Sequence, residues 1–196
     1  MSFNGHRSVH KHDGSTSTSW YNIRCGNCNK EVNGAVVGTY ENPDGPIRWL
    51  LCPSCADGSV MCRNGVVYPT SIGKPNLQGL PDETEKAFIE AYGCFSIKAY
   101  TACELICRKI LMHVAVDKGA KKGDTFVNYI QFLETKGYVT PPMKPWVQRI
   151  RLHGNESNHE FKSPDETRAN DTLIFTSELL RLIYDMAFLA NKYSTE

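Results

Sequence analysis

The sequence predicts a mainly α protein, a four- to five-helix bundle that follows a small N-terminal β module. Three observations carry this expectation. From Pro81 onward, every long apolar pattern repeats at helical spacing. Before it, residues 19–70 hold only short β-rich runs punctuated by turn residues. The chain has eight cysteines, and four of them form two CxxC motifs confined to that first part.

Taken in order, residues 1–18 are rich in Ser, Thr, Gly and His and read as a flexible tail, with His6, His10 and His12 in solvent. In residues 19–70, AVVGTY (35–40), IRWLL (47–51) and VVY (66–68) read as strands by their β-branched and aromatic content. NPDGP (42–46) is a turn between the first two. Residues 71–80, punctuated by Gly and Pro, read as a linker, and residues 81–196 as the helical bundle. Pro81 suits a first helical position, and Ala87, Phe88, Ala91, Tyr92 and Phe95 share one apolar face. Gly93 and Ser96 predict a break. A longer helix then spans 96–118, with Ile97, Tyr100, Cys103, Cys107, Ile110 and Val114 on its core stripe. GAKKGD (119–124) leads to a helix with Phe126, Ile130 and Leu133 on one face. After VTPP (139–142) a short helix covers 143–153, and Ser163-Pro164-Asp165-Glu166 caps a last helix reaching 191.

Several function classes are excluded or narrowed by composition. Net charge is +1, so nucleic-acid binding has to rest on a local patch. Leu173–Ala190 is the most apolar run, but Glu178, Arg181 and Asp185 recur at spacings of three and four and make it amphipathic. That excludes a membrane span. The polar N-terminus has no apolar core of a secretory signal, so the cysteines are expected in a reducing, cytoplasmic setting.

In such a setting, paired CxxC motifs point to metal. Cys25 and Cys28 are separated from Cys52 and Cys55 by 23 residues that contain the two best strand candidates. Two knuckles on hairpins can set four thiolates tetrahedrally around a structural Zn²⁺, closing the site to chemistry. The ion would also stabilise a segment too small to fold on its apolar content. The reading is a zinc ribbon. Cys62, without a CxxC partner, is a weaker ligand candidate; Cys103 and Cys107 read as packing residues. Arg24, Lys30 and Arg48 would permit a phosphate contact but do not make a basic patch.

The second chemical signal is RLHGNESNH (151–159), a helix junction crowded with polar groups. Gly154 is expected to end the preceding helix, and Asn155 can bond its own turn. Arg151 and His159 remain unexplained by capping. A histidine can carry a proton to or from a ribose hydroxyl or a leaving oxygen near neutral pH. An arginine fork fits the charge developing on a phosphate. The chemistry these types suggest is metal-independent phosphodiester cleavage, with a second base from His153 or from His159 of another copy. Nearby Trp146 either packs on the bundle or stacks a base. Lys118, Lys121 and Lys122 read as a solvated loop.

With these residues in view, the segment from Leu80 to about Met186 resembles the domain of unknown function 4145 family. The resemblance rests on Arg108 in CRKIL, on Arg151-x-x-Gly154-Asn155-x-x-x-His159, and on the capped helix after Ser163. That family is grouped with the HEPN (higher eukaryote and prokaryote nucleotide-binding) superfamily and is often attached to bacterial restriction and defence proteins. The resemblance implies a HEPN-like helical bundle, a homodimer, and RNA as ligand, with DNA as the alternative. It assigns catalytic roles in RNA cleavage to Arg151 and His159, with Asn155 as polar helper. It equally admits a non-catalytic adaptor that binds nucleic acid or a protein partner in a defence or restriction assembly.

Overall fold

The computed structural model describes residues 14–155 and 163–194, and of 151–155 the backbone alone. The chain divides into two compact units, Met1–Lys74 and Pro75–Glu196.

The first unit is an antiparallel meander of five strands in the order β1-β2-β3-β4-β5. These are Trp20–Arg24, Glu31–Tyr40, Ile47–Leu51, Gly58–Met61 and Val67–Tyr68. Successive residues of a strand point to opposite faces, so directly paired residues share one. The register therefore sets Ile23 beside Val32, Val36 beside Leu50, and Met61 beside Val67 on a common face. Ile23, Val36, Leu50 and Met61 form its buried core, with Tyr21, Val32 and Val67 packed against them. The other face carries Trp20 and Trp49, which remain about half exposed at 47% and 46%. A register shift between Val36 and Gly38 lets the ten-residue β2 bend between its neighbours.

The second unit is helical: α1 (Asp82–Ser96), α2 (Tyr100–Asp117), α3 (Phe126–Thr135), α4 (Lys144–Asn155), α5 (Glu166–Leu180) and α6 (Met186–Tyr193). α2 is central and packs on α1, α3 and α5. Phe88, Phe95, Leu111, Val114, Ile130, Leu133, Phe175 and Leu179 are all nearly or fully buried there. Between α5 and α6 the helix widens into a π turn, Arg181–Asp185. The chain entering α1 is fastened to that turn: the Gln78 N–H donates to Asp185 Oδ1 at 2.8 Å. Gly79, with φ +72°, lies so close to Phe188 that a Cβ there would be 2.6 Å from the Phe188 Cβ. No helix among the described residues is long and apolar enough to cross a membrane.

The expectation of a mainly α chain with a minor β appendage is overturned. The N-terminal unit is a five-stranded antiparallel sheet with a core of its own, so the architecture combines a full β unit with a helical one. Two of its strands, β1 and β4, alternate over only five and four residues, too briefly to stand out in the sequence. Three helix boundaries also move. α1 continues through Gly93, and Ser96 Oγ donates to the Gly93 carbonyl inside its last turn. The break falls instead at Lys98, whose φ of +65° lets the Ala99 N–H reach back to the Cys94 carbonyl at 2.8 Å. α4 likewise runs through Gly154 to Asn155. α5 is capped by Asp165, which accepts the Arg168 N–H at 2.8 Å, so Ser163 and Pro164 precede the helix.

Candidate functional site

Two turns of the β unit carry the CxxC motifs, and they are built alike. In the β1–β2 turn the Cys25 N–H donates to the Lys30 carbonyl at 2.9 Å, and the Asn29 N–H returns to the Cys25 carbonyl at 2.8 Å. In the β3–β4 turn Cys52 donates to Asp57 at 3.0 Å, and Ala56 returns to Cys52 at 2.9 Å. Asn29 and Ala56, each just after the second cysteine of its pair, have φ of +59° and +63°. This left-handed step turns the chain back into the sheet and leaves both thiols of each knuckle pointing inward. Gly26 is required for a different reason: a Cβ there would lie 1.9 Å from the Pro69 carbonyl oxygen.

The knuckles bring Cys25, Cys28, Cys52 and Cys55 together, with all four sulfurs within 4.8 Å of one another. Across the pairs, Cys25 Sγ lies 3.8 Å from Cys55 Sγ, and Cys28 Sγ 3.8 Å from Cys52 Sγ. A disulfide would need about 2.05 Å, so these are unbonded thiols at ligand spacing. Cys25 and Cys52 are buried, while Cys28 and Cys55 are partly accessible. Burial pushes the Cys25 and Cys55 thiols up, against backbone N–H donors from Cys28 and Asp57 respectively. At Cys28 burial acts in the same sense, but the Lys30 N–H and the surrounding thiols outweigh it and bring the group down to about 7. At Cys28 the groups aimed at the sulfur thus favour the thiolate, the form that binds metal. The four cysteines could hold one metal ion. Cys62, on the β4–β5 turn, is not in the group.

The basic residues of this unit are largely committed elsewhere. Arg24 pairs with Glu31 at 2.8 Å, and the Arg48 guanidinium lies 4.8 Å above the Tyr21 ring. Lys30 is exposed.

In the helical unit, the junction motif begins on α4. Arg151 and Asn155 lie in the last turns of that helix as backbone, and His159 lies outside the described residues. What can be placed is the frame around them. Arg149 Nε donates to Asp171 Oδ2 at 2.9 Å, tying α4 to α5. Arg168 grips the buried Glu104 through Nε and Nη2 at 2.8 and 2.9 Å, tying α5 to α2. Arg108 stands 3.8 Å from the same carboxylate and 4.4 Å over the Phe126 ring. It anchors α2 to α3 by stacking more than by hydrogen bonding. The bidentate partner of Glu104 is 64 positions away and carries no local sequence signal. Cys103 and Cys107 are fully buried on α2. Trp146 is half-buried, and Lys118 is not simply solvated, since it pairs with Asp117 at 2.9 Å and covers the Tyr184 ring.

Set against known proteins, residues 89–196 match the family model described as Domain of unknown function (DUF4145). No curated protein and no solved structure matches the chain.

Proposed function

Since the chain belongs to the family of the domain of unknown function DUF4145, we propose that it is a zinc-stabilised, RNA-directed protein of bacterial nucleic-acid or phage defence, related to the HEPN superfamily. The ion at the four cysteines is taken as Zn²⁺. With Zn–S bonds of about 2.3 Å, the edge of a tetrahedron is about 3.8 Å, and the two cross-pair sulfur separations are 3.8 Å. A closed tetrathiolate site of this kind holds the β unit together and takes no part in catalysis.

The candidate chemistry is metal-independent RNA cleavage at the end of α4. Arg151 would neutralise the phosphate, His159 would carry the proton, and Asn155 would orient one or the other. The observation that carries this assignment is the commitment of Arg149 to Asp171 at 2.9 Å. Of the two α4 arginines next to the motif, one is already a structural tie, and the phosphate role falls to Arg151. The family resemblance supports the same pair, acting in a homodimer. The test incubates the purified full chain with structured RNA in excess EDTA, beside Arg151→Ala and His159→Ala, with zinc retention checked by thiol titration. Cleavage by the wild type that both variants lose supports the enzyme. Absent cleavage, or cleavage indifferent to both changes, refutes it.

A second reading is a non-catalytic adaptor for RNA, DNA or a partner protein. It is favoured by Trp20 and Trp49, about half exposed on the outer face of the sheet, since exposed aromatic rings can stack bases. Its signature is salt-dependent RNA affinity that survives His159→Ala and falls in Trp49→Ala.

A further inference from the structure

A groove of about 520 Å³ runs between α1 and α2, well within the size of small-molecule sites. Its floor is apolar: Ala87, Ile106 and Ile110. Its two rims differ in charge. From α1 come Glu83, Lys86 and Glu90, and from α2 come Lys109 and His113. Glu83 is neutralised by Lys86 at 2.7 Å, which leaves Glu90 as the net charge of the α1 rim. The α2 rim is cationic. His113 shares its field with Asp117, so Lys109 is its principal charge. Among the described residues, neither Glu90 nor Lys109 forms an ion pair.

The wall supplies a second, independent observation. Thr84 lines the groove at 2% exposure, and its hydroxyl has no hydrogen-bond partner among the described residues. Buried polar groups are nearly always bonded, so this orphan leaves a polar spot in the groove wall that nothing else in the described residues satisfies.

We propose that the groove binds a free aliphatic α-amino acid. Its carboxylate sits at Lys109 and His113, its ammonium faces Glu90, and its side chain lies on Ala87, Ile106 and Ile110. Opposed rim charges across an apolar floor suit a zwitterion with a hydrocarbon tail; a simple anion would face Glu90, and a simple cation Lys109. Four of the lining residues precede residue 89, where the family match begins, so the site is not a property of the matched segment. It does not depend on the RNA reading.

The test is calorimetric titration of the full, metal-loaded chain with L-leucine, leucinamide, N-acetyl-L-leucine and glycine. L-Leucine should bind, and each analogue, lacking one recognised group, should bind roughly tenfold more weakly or worse. Lys109→Met should sharply narrow the difference between leucine and leucinamide, and Lys109→Met with His113→Ala should erase it. Glu90→Gln should erase that between leucine and N-acetyl-leucine. All three positions are exposed on the helix surface, so the variants remain folded. No binding at millimolar leucine, or binding that none of these variants alters, overturns the proposal.

Discussion

Stripping the zinc proposed for the four-cysteine site is expected to unfold the β unit and spare the helical one. The buried core of the β unit is four side chains, Ile23, Val36, Leu50 and Met61. At about 1.5–3 kcal/mol for each fully buried apolar side chain, they contribute roughly 6–12 kcal/mol. A structural zinc bound by small modules of this type contributes about 10–16 kcal/mol at neutral pH. A zinc ion at the four cysteines would therefore match or exceed this apolar core, and the sheet would have no reserve to replace it. The helical unit carries its own core around α2 and no cysteine of the cluster. The assay titrates the thiols with a mercurial, counts the released metal, and follows amide signals by two-dimensional NMR. One ion per chain should be released, and the Val36 and Leu50 amides should lose dispersion and exchange protection. Amides of Leu111 and Leu179 should stay in place. Cys28→Ser should reproduce the effect without chelator. If Val36 and Leu50 remain protected in protein shown to be metal-free, the reasoning from core size is wrong.

Three further outcomes follow from particular contacts. Arg168→Met leaves Glu104, whose side chain is 7% exposed, without its bidentate partner. Urea unfolding should show a loss of about 3–5 kcal/mol, while Arg108→Met, 3.8 Å from the same carboxylate, should cost under about 1.5 kcal/mol. Equal losses would contradict the assignment of the tie. Gly26→Ala drives a methyl into the Pro69 carbonyl oxygen; the knuckle should lose about 1–3 kcal/mol or more, read as weaker metal retention in a chelator competition. Asp117 is held below its ordinary carboxylate value by hydrogen bonds from Lys118 and then Tyr184. A depressed folded-state pKa stabilises above the unfolded value and is lost as pH falls through the folded one. The stability advantage of wild type over Asp117→Asn should therefore begin to fall below about pH 4 and be gone once the pH has dropped through the lower folded value; an advantage that does not shrink as the pH falls below about 4 would refute it. Because the Asp117 side chain is 40% exposed, the advantage should be small.

The legible parts of the molecule were those whose signal is local. Two CxxC motifs announce four ligands because each pair is brought together by its own turn, and the register then needs only to face the turns toward each other. The helical stripes of α2 and α3 were largely plain, since Cys103, Cys107 and Ile110, like Ile130 and Leu133, repeat at the period of one face; Ile97, read as part of the first stripe, instead precedes α2 and is 63% exposed. The β unit was underestimated because its core is distributed. Ile23, Val36, Leu50 and Met61 come from four strands, and no one segment looks apolar enough to read as a sheet. Gly93 misled for a related reason: propensity favours a break there, but Ala91, Tyr92 and Phe95 are buried on both sides of it and hold the helix. Lys98 takes the left-handed position that sequence rules reserve for glycine. The groove between α1 and α2 was invisible, since its rims come from segments some twenty positions apart with no shared motif.

The attachment of Gln78 and Gly79 to the π turn has a mechanical meaning. The chain coming from residue 74 does not run straight into α1. It is held first by Asp185 and then passes beneath Phe188. Tension along that chain is thus taken up by the π turn, and the first turn of α1, which has no side-chain cap of its own, is shielded. The same latch is a long-range one: Gln78 can close it only on a partner 107 residues further along the chain.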